Sequence, residues 1–247
     1  MTHDEIKNAA LAEIEKILRR CGRSLRDCEG MPFPDDEAID PGQNRLILDE
    51  LGYDRAALTL EHNNLLSSMT DEQRDVYSKI VKSVESGKGG MFFVYGYGGT
   101  GKTYVWRTLS AKFRSQGDIV LNVASSGIAS LLLPGGRTAH SRFAIPLNPH
   151  EGSTCSIDQD SPLVELIIRC RLIIWDEAPM MNKYCFEAVN KTLKSVMQYV
   201  HPSNAFKSFG GKTVVFGGDF RQILPVVPKG SRQDIVNATI NASEFGK

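Results

Sequence analysis

Residues 96–103 read Gly-Tyr-Gly-Gly-Thr-Gly-Lys-Thr, which fills every position of the phosphate-binding pattern G-x-x-x-x-G-K-[ST]. The apolar run 91–95 precedes this stretch and has the composition of a β-strand. Residues 104–116 follow it and repeat apolar side chains at helical spacing. Strand, glycine loop and helix in this order are the context in which the pattern binds phosphate. The stretch therefore predicts a nucleoside triphosphate site.

The bulk composition is that of a globular chain without a charge bias. The 247 residues are 41% hydrophobic, and 29 basic side chains balance 29 acidic ones. Five scattered cysteines without a C-x-x-C pair argue against a disulfide framework or a metal cluster, and they fit a reducing compartment. The sequence has no apolar stretch of the roughly 18 residues that a membrane span needs, and its start lacks a signal-peptide pattern. We therefore expect an intracellular, soluble protein without a membrane partner.

The apolar pattern changes at Met69 and predicts two regions. Residues 1–68 are predicted to form a small helical N-terminal region. In residues 69–247 strand and helix patterns alternate, which is typical of an α/β fold with a parallel sheet flanked by helices. The segment 134–160 is rich in Pro and Gly and is predicted to be a long loop. The predicted strands are 91–95, 119–123, 172–175 and 213–216, and the predicted helices are 5–20, 44–51, 54–66, 70–86, 101–116, 127–133, 162–169 and 183–199.

The glycine loop has the residues that a magnesium triphosphate requires. Ligands of doubly wound sheets bind beyond the carboxyl ends of the strands, and this loop follows such an end. Its backbone N–H groups and the start of the next helix form an anion site, which side chains at Gly98, Gly99 or Gly101 would block. Lys102 would reach the β- and γ-phosphates, and the Thr103 hydroxyl would bind Mg²⁺.

Two later strand ends carry polar side chains suited to the same ligand. The strand 172–175 ends in Asp176 and Glu177. An aspartate in that position can hold the metal, and the adjacent glutamate can orient and deprotonate the attacking water. After the strand 213–216, Gln222 is placed to hydrogen-bond the γ-phosphate. Each of these side chains taken alone also fits an ordinary strand end or loop.

Two other nucleotide sites match the sequence less well. Gly96, Gly98 and Gly101 also satisfy the dinucleotide pattern G-x-G-x-x-G. However, no acid follows the strand 119–123 to hold a ribose, and Lys102 has no role in such a site. The guanine-reading pattern N-K-x-D does not occur in the sequence. Neither a Rossmann fold nor guanine specificity is therefore predicted.

Six motifs in a fixed order make the sequence resemble a known family. They are the glutamine motif at Gln73, the glycine loop, ASSGIA at 124–129, GRTAHSRF at 136–143, WDEAPM at 175–180 and GGDFRQILP at 217–225. Over about residues 9–242 the chain closely resembles the Pif-type 5′-to-3′ DNA helicases of superfamily one, and especially the helicase domains of plant Helitron elements. The resemblance implies a RecA-like P-loop ATPase lobe with ATP and Mg²⁺ as cofactors and single-stranded DNA as partner. It also implies a nuclear location and work in DNA repair, recombination, telomere maintenance or transposon replication.

The resemblance assigns a role to each motif. Gln73 would contact adenine, although Thr70 and Gln73 also form a capping box for the following helix. Small hydroxyl side chains would hold DNA phosphates, and Phe143 would stack a base for about 1–3 kcal/mol. Alternatively, His140 and Phe143 would pin the long loop onto the core. The residues predicted to bind ATP are Gln73, Gly96, Gly98, Gly99, Thr100, Gly101, Lys102 and Thr103. The predicted metal ligands are Thr103 and Asp176, and the predicted catalytic residues are Lys102, Glu177 and Gln222. The residues predicted to bind DNA are Ser125, Ser126, Thr138, His140, Ser141 and Phe143, with Arg137 and Arg142 as the nearby cations.

The resemblance is limited to the first lobe of such helicases. Family members continue into a second RecA-like lobe with arginines that complete the ATP site, whereas this sequence ends about 25 residues after Gln222. A missing arginine of this kind lowers the rate of phosphoryl transfer by about 10³- to 10⁵-fold. We therefore expect the chain to bind Mg-ATP, to hydrolyse it slowly and not to unwind DNA. The alternatives are a non-enzymatic remnant that binds ATP or single-stranded DNA and, less well supported by the few arginines in 134–160, a small-molecule kinase.

Overall fold

The structure is a computed structural model that describes residues 3–20, 24–28, 30–34 and 44–245. The chain divides into two compact units, one up to Asn44 and one from Arg45 onward. In the first unit, helix α1 (His3–Arg20) carries the buried carboxylate of Glu15. This carboxylate accepts hydrogen bonds from the Ser24 hydroxyl at 2.9 Å and from the Leu25 N–H at 2.6 Å. It therefore ties the short 3-10 helix Leu25–Asp27 to α1.

The second unit is built on a parallel sheet of five strands in the order β1-β5-β4-β2-β3. Strands β2 and β5 are buried along their whole length, and β4 is buried at all but one position. Strand β1 lies at an edge and alternates between partly buried and exposed side chains. Strands that are covered on both faces read as continuous apolar runs, which is why the sequence predicts them well. The strands are β1 Gly90–Tyr95, β2 Ile119–Ala124, β3 Arg137–Thr138, β4 Cys170–Asp176 and β5 Thr213–Gly218.

Helices cover both faces of the sheet, and neighbouring residues of β4 show this. Ile173 and Trp175 belong to one buried apolar cluster, whereas Leu172 and Ile174 belong to another, because successive side chains of a strand point to opposite faces. Among the described residues, no helix has the length and hydropathy needed to cross a bilayer. The helices of this unit are α2 Arg45–Leu51, α3 Arg55–Ser67, α4 Asp71–Ser86, α5 Lys102–Ser115, α6 Gly127–Ser130, α7 Ala139–Phe143, α8 Pro162–Arg169, α9 Lys183–Met197 and α10 Arg232–Asn237, with short 3-10 helices at Ala178–Met180, Pro202–Phe206, Ser208–Gly211 and Ile240–Ala242.

The predicted α/β fold class is confirmed, and the differences from the sequence prediction are local. The segment 134–160, predicted as a loop, contains β3 and α7, which are too short to show a period in sequence. The helix predicted at 127–133 ends at Ser130. Residues 131–133 continue it as tighter turns in which each N–H bonds to the carbonyl three residues earlier, and Pro134 and Gly135 follow.

The unit that contains the sheet begins at Arg45, whereas the sequence pattern places a boundary at residue 68. Helix α3 lies against α5, the helix that follows the glycine loop. The Tyr104 hydroxyl donates to the Leu65 carbonyl at 2.7 Å, and Arg107 pairs with Glu61 at 2.6 Å. These contacts are polar and join distant parts of the sequence, so the apolar pattern around Met69 does not reveal them.

A buried ion cluster joins three helices of this unit. The carboxylate of Glu50 in α2 pairs with Arg114 of α5 at 3.1 Å and with Arg142 of α7 at 2.7 Å. All three side chains are at most 6% exposed. Arg114 also donates to the carbonyls of Pro134 and Val120, so the cluster holds the start of the 134–160 segment on the sheet.

Candidate functional site

The glycine loop connects β1 to α5 at the carboxyl edge of the sheet. Gly99 and Gly101 adopt φ values of 82° and 84°, which glycine adopts without the steric strain of a side chain. The Lys102 ammonium donates to the carbonyl oxygens of Gly96 at 2.5 Å and of Tyr97 at 3.2 Å. Thr103 lies half-buried in the first turn of α5. The loop thus has the backbone shape predicted for a phosphate site, with its lysine held by the loop's own carbonyls.

Gln73 links the start of α4 to the glycine loop. Its side-chain oxygen accepts from the Thr70 N–H at 3.2 Å, and its backbone N–H donates to the Thr70 hydroxyl, so the predicted capping box is present. Its side-chain amide donates to the Thr100 carbonyl at 3.3 Å. A side chain at Gly101 would collide with this amide. Gln73 therefore lies at the loop as well as at the cap, and its contact with adenine stays a prediction.

The acidic pair lies at the carboxyl end of β4, two strands away from the glycine loop, with Asp176 as the last residue of the strand and Glu177 directly after it. Asp176 is 5% exposed, and its Oδ1 atom has no hydrogen-bond partner among the described residues. A Cβ atom added at Gly217 in β5 would lie 3.2 Å from this oxygen, so the carboxylate faces the neighbouring strand. A buried carboxylate oxygen without a partner is costly and fits a bound cation.

Glu177 is electrostatically connected to the glycine loop. Burial contributes most to raising the pKa of its carboxyl group, and the charge of Asp176 contributes next. The Lys102 ammonium lowers this pKa by a smaller amount, and Asp219 raises it by the smallest amount. Its backbone is in the left-handed region with φ 52°, which is uncommon for a residue with a side chain and is found at functional sites. The site therefore contains a half-buried glutamate that is near both the loop lysine and the other acids.

The segment after β5 lies between the loop and the acidic pair, because β5 is the strand between β1 and β4. A Cβ atom at Gly98 would lie 3.7 Å from the side-chain nitrogen of Gln222, so Gln222 faces the loop, and its contact with the γ-phosphate stays a prediction. Asp219 is buried and accepts from the Arg221 N–H at 2.9 Å. No role for Asp219 is predicted from the sequence, although it directly follows the buried strand β5 as Glu177 follows β4.

These residues fit a magnesium triphosphate. The loop offers backbone N–H groups and an ammonium for phosphate oxygens, and Asp176 offers a carboxylate oxygen that has no partner in the described part of the chain. Within the described ranges, no three His, Cys, Asp or Glu side chains converge as a metal site. Mg²⁺ at a phosphate site keeps several waters and takes only one or two protein carboxylates, so a larger ligand cluster is not required.

The predicted DNA residues lie at the ends of β2 and β3. Ala124 pairs in register with Thr138, which brings Ser125 and Thr138 to neighbouring strand ends. Ser125 accepts from the Trp175 indole N–H at 3.2 Å, and its backbone N–H donates to the Asp176 carbonyl at 3.1 Å. The Ser125 backbone is thus bonded to that of Asp176, while its hydroxyl lies against the Trp175 indole.

The other hydroxyl residues of this set are helix caps. Ser126 accepts from the Ala129 N–H at 3.2 Å, and Thr138 accepts from the Ser141 N–H at 3.3 Å. A hydroxyl that accepts one bond still has a proton to donate, so these contacts leave it able to bind a phosphate oxygen. Ser141 itself is exposed.

Two residues expected at the DNA surface are instead part of the interior. Phe143 is 0% exposed and stacks on Trp175 with ring centroids 5.8 Å apart, so the prediction that it stacks a base is wrong. Arg142 is buried against Glu50, so it is not a surface cation. His140 is half-buried, and burial lowers its pKa, which keeps it neutral at pH 7. Arg137 remains exposed at the start of β3.

Comparisons with known proteins show which family this chain resembles. A family model described as PIF1-like helicase matches residues 68–247. The ATP-dependent DNA helicase PIF3 of Trypanosoma brucei brucei is 28% identical over 165 residues, which cover 66% of this chain and 18% of that protein. The ATP-dependent DNA helicase PIF1 of Homo sapiens is 27% identical over 165 residues, which cover 66% of this chain and 23% of that protein.

Solved structures give the same result. Unliganded Pif1 from Bacteroides sp. matches with a TM-score of 0.52 and 28% identity over 68% of this chain and 35% of that chain. The Bacteroides Pif1 helicase in complex with ADP-AlF3 and ssDNA matches with a TM-score of 0.55 and 25% identity over 71% of this chain and 38% of that chain. The chain spans about a fifth of the length of these curated relatives. Since the family model matches well over half of the sequence, the chain belongs to the PIF1-like helicase family.

Proposed function

We propose that the chain forms the ATP-binding lobe of a helicase that couples Mg-ATP hydrolysis to 5′-to-3′ movement on single-stranded DNA. One observation carries this proposal: β1 and β4 flank β5 in a parallel sheet, so Lys102 in the loop after β1 and the acids at the end of β4 lie at the same edge. The unpartnered oxygen of Asp176 is a further reason to expect a cation there.

Each side chain of the site has a separate task in this proposal. Lys102 leaves the carbonyls of Gly96 and Tyr97 and binds phosphate oxygens, because a charged acceptor makes the stronger hydrogen bond. Thr103 and Asp176 hold Mg²⁺, which neutralises phosphate charge when bound. The loop backbone supplies the remaining N–H donors.

Glu177 and Gln222 act on the reacting end of the nucleotide in this proposal. Glu177 takes a proton from the attacking water, and its raised pKa makes it a stronger base than a glutamate in water. Gln222 hydrogen-bonds the terminal phosphate from the segment after β5, where its side-chain nitrogen faces Gly98.

Replacing Glu177 with Gln tests the hydrolytic part of the proposal. The variant keeps the size of the side chain but lacks the proton acceptor, so the hydrolysis rate is expected to fall by about 10²- to 10⁴-fold while ATP still binds. Single-turnover hydrolysis by residues 1–247, with and without a single-stranded oligonucleotide, measures the rate, and calorimetry measures the affinity. The matched control is Glu187→Gln in α9, another glutamate whose pKa is raised chiefly by burial. Equal hydrolysis by wild type and Glu177→Gln would refute this role.

The DNA-binding part of the proposal is supported by the strand order. The ends of β2 and β3 follow the acidic pair along the same edge of the sheet, and the backbone bond from Ser125 to Asp176 joins the two groups. The Bacteroides Pif1 match was solved with ssDNA. We propose that Ser125, Ser126, Thr138, Ser141 and His140 face the strand, with His140 as a neutral hydrogen-bonding group.

Arg137→Ala tests this surface. Losing one phosphate contact is expected to lower the affinity for a single strand and to reduce the salt-dependence slope of log K by about 0.7. Fluorescence anisotropy of a labelled oligothymidylate over a KCl series measures both quantities. The control is Arg169→Ala, because Arg169 is exposed directly before β4, at the amino edge of the sheet. A slope equal to that of the wild type would place the strand elsewhere.

The activity of a whole helicase is also a proposal, since the chain spans only about a fifth of its curated relatives. A nuclear location and work in DNA repair, recombination or telomere maintenance stay predictions from the resemblance.

A further inference from the structure

The segment that carries Gln222 is held on β1 by aromatic contacts. The Phe220 ring stacks on Phe93 with centroids 5.1 Å apart and on Tyr95 with centroids 6.4 Å apart. Next in sequence, the Arg221 guanidinium lies 4.6 Å from the centroid of the Tyr97 ring. Tyr97 is the second residue of the glycine loop. The contact between Arg221 and Tyr97 therefore joins the end of β5 directly to the loop.

Tyr97 is coupled to the rest of the loop through its carbonyl oxygen. This oxygen accepts hydrogen bonds from the Thr100 N–H at 3.3 Å, from the Thr100 hydroxyl at 2.9 Å and from the Lys102 ammonium at 3.2 Å. The Tyr97 backbone is therefore held by the loop's own hydrogen bonds, so its ring projects from a fixed point of the loop.

The hydrogen bonds around Asp219 shape the turn formed by residues 219–222, but they do not fix the distance of this turn from the glycine loop. The Arg221 N–H donates to the Asp219 carboxylate at 2.9 Å, and the Gln222 N–H donates to the Asp219 carbonyl at 3.2 Å. Both bonds are internal to the turn, so they move with it. The ring contacts connect the turn to β1 and to the loop, and the Gln222 side chain then faces Gly98.

We propose that the contact between Arg221 and Tyr97 sets the position of Gln222 against the glycine loop and thereby determines how well the site distinguishes a nucleoside triphosphate from a diphosphate. The inference rests on the proposed function, in which Gln222 contacts the terminal phosphate. Arg221 and Tyr97 are positioning residues here, since they act through Gln222. A diphosphate lacks the group that Gln222 contacts, so its affinity does not depend on this position.

The test compares the affinity of residues 1–247 for the non-hydrolysable triphosphate AMP-PNP and for ADP, both with Mg²⁺, by fluorescence of mant-labelled nucleotides. Tyr97→Leu removes the ring and is expected to lower the ratio of triphosphate to diphosphate affinity by about two- to fivefold, which is the size of an exposed cation–π contact. Tyr97→Phe keeps the ring and is expected to restore the ratio. Arg221→Gln is expected to lower the affinity ratio by the same factor as Tyr97→Leu does. The double variant Tyr97→Leu with Arg221→Gln is expected to lower the ratio no further than either single variant.

The controls separate this inference from a structural role and from the proposed function. Arg26→Gln removes a similar contact, with the Arg26 guanidinium 4.3 Å from the Phe33 centroid in the other compact unit, and should leave the ratio unchanged. An unchanged ratio in Tyr97→Leu, or an equal loss of both affinities, would overturn the inference. If Lys102→Ala leaves triphosphate affinity unchanged, the proposed function itself fails. If Lys102→Ala abolishes binding while Tyr97→Leu keeps the ratio, only the positioning role fails.

Discussion

Lys102→Ala is expected to weaken the binding of Mg-ATP by about 10- to 150-fold, because a hydrogen bond to a charged group contributes about 1.5–3 kcal/mol. In the structure the ammonium donates to the carbonyl oxygens of Gly96 and Tyr97. These acceptors are neutral, so the lysine gains from exchanging them for phosphate oxygens. Isothermal titration calorimetry of residues 1–247 with ATP and Mg²⁺ measures the effect directly.

The control for this prediction is Lys79→Ala. Lys79 is an exposed lysine of α4 that pairs with Asp75 at 2.7 Å, so its loss changes the net charge equally without touching the loop. Thermal unfolding should show that both variants are folded. A folded Lys102→Ala variant with ATP affinity within a factor of two of the wild type would contradict the nucleotide site.

Glu50→Gln is expected to destabilise the fold by about 3–5 kcal/mol, the loss typical of removing one partner of a buried ion pair. The Glu50 carboxylate contacts both Arg114 and Arg142, and the three side chains are nearly inaccessible to water. Without the carboxylate, two guanidinium groups remain buried without a counter-charge. Urea unfolding followed by circular dichroism measures the free energy of unfolding.

Glu61→Gln is the matched control for Glu50→Gln. The pair between Glu61 and Arg107 has an equally short distance of 2.6 Å, but its side chains are 36% and 49% exposed. An exposed pair contributes about 0–1 kcal/mol, so this variant should unfold almost as the wild type does. Replacing Glu50, Arg114 and Arg142 together by Leu, Met and Met should recover much of the stability lost in Glu50→Gln. Equal unfolding free energies for Glu50→Gln and Glu61→Gln would show that the cluster does not stabilise the fold.

The glycine loop was predictable because its requirements are local. Positive φ angles at Gly99 and Gly101 and a lysine at the first residue of α5 are properties of adjacent residues. Strands β2 and β5 were predictable because they are buried on both faces and therefore largely apolar. In contrast, β3 has two residues and α7 has five, and elements of that length leave no periodic pattern.

The burial of Phe143 and Arg142 was not predictable for a related reason. Phe143 and Arg142 lie in the short helix α7, and no sequence period indicates which of its side chains face inward. Trp175, which covers Phe143, and Glu50, which pairs with Arg142, are 32 and 92 residues away in sequence. A buried aromatic and a buried cation therefore looked the same in sequence as exposed ones.

The sequence by itself determined the α/β class, the loop with its lysine, and the acids and glutamine that follow buried strands, because each depends on neighbouring residues. Only the tertiary structure decided the strand order β1-β5-β4-β2-β3, which brings Lys102, Gln222, Asp176 and Ser125 along one edge. It also decided that Glu50 pairs with two buried arginines and that Arg221 contacts Tyr97. Such contacts join residues far apart in the chain, and their energies depend on burial and distance, which no local pattern specifies.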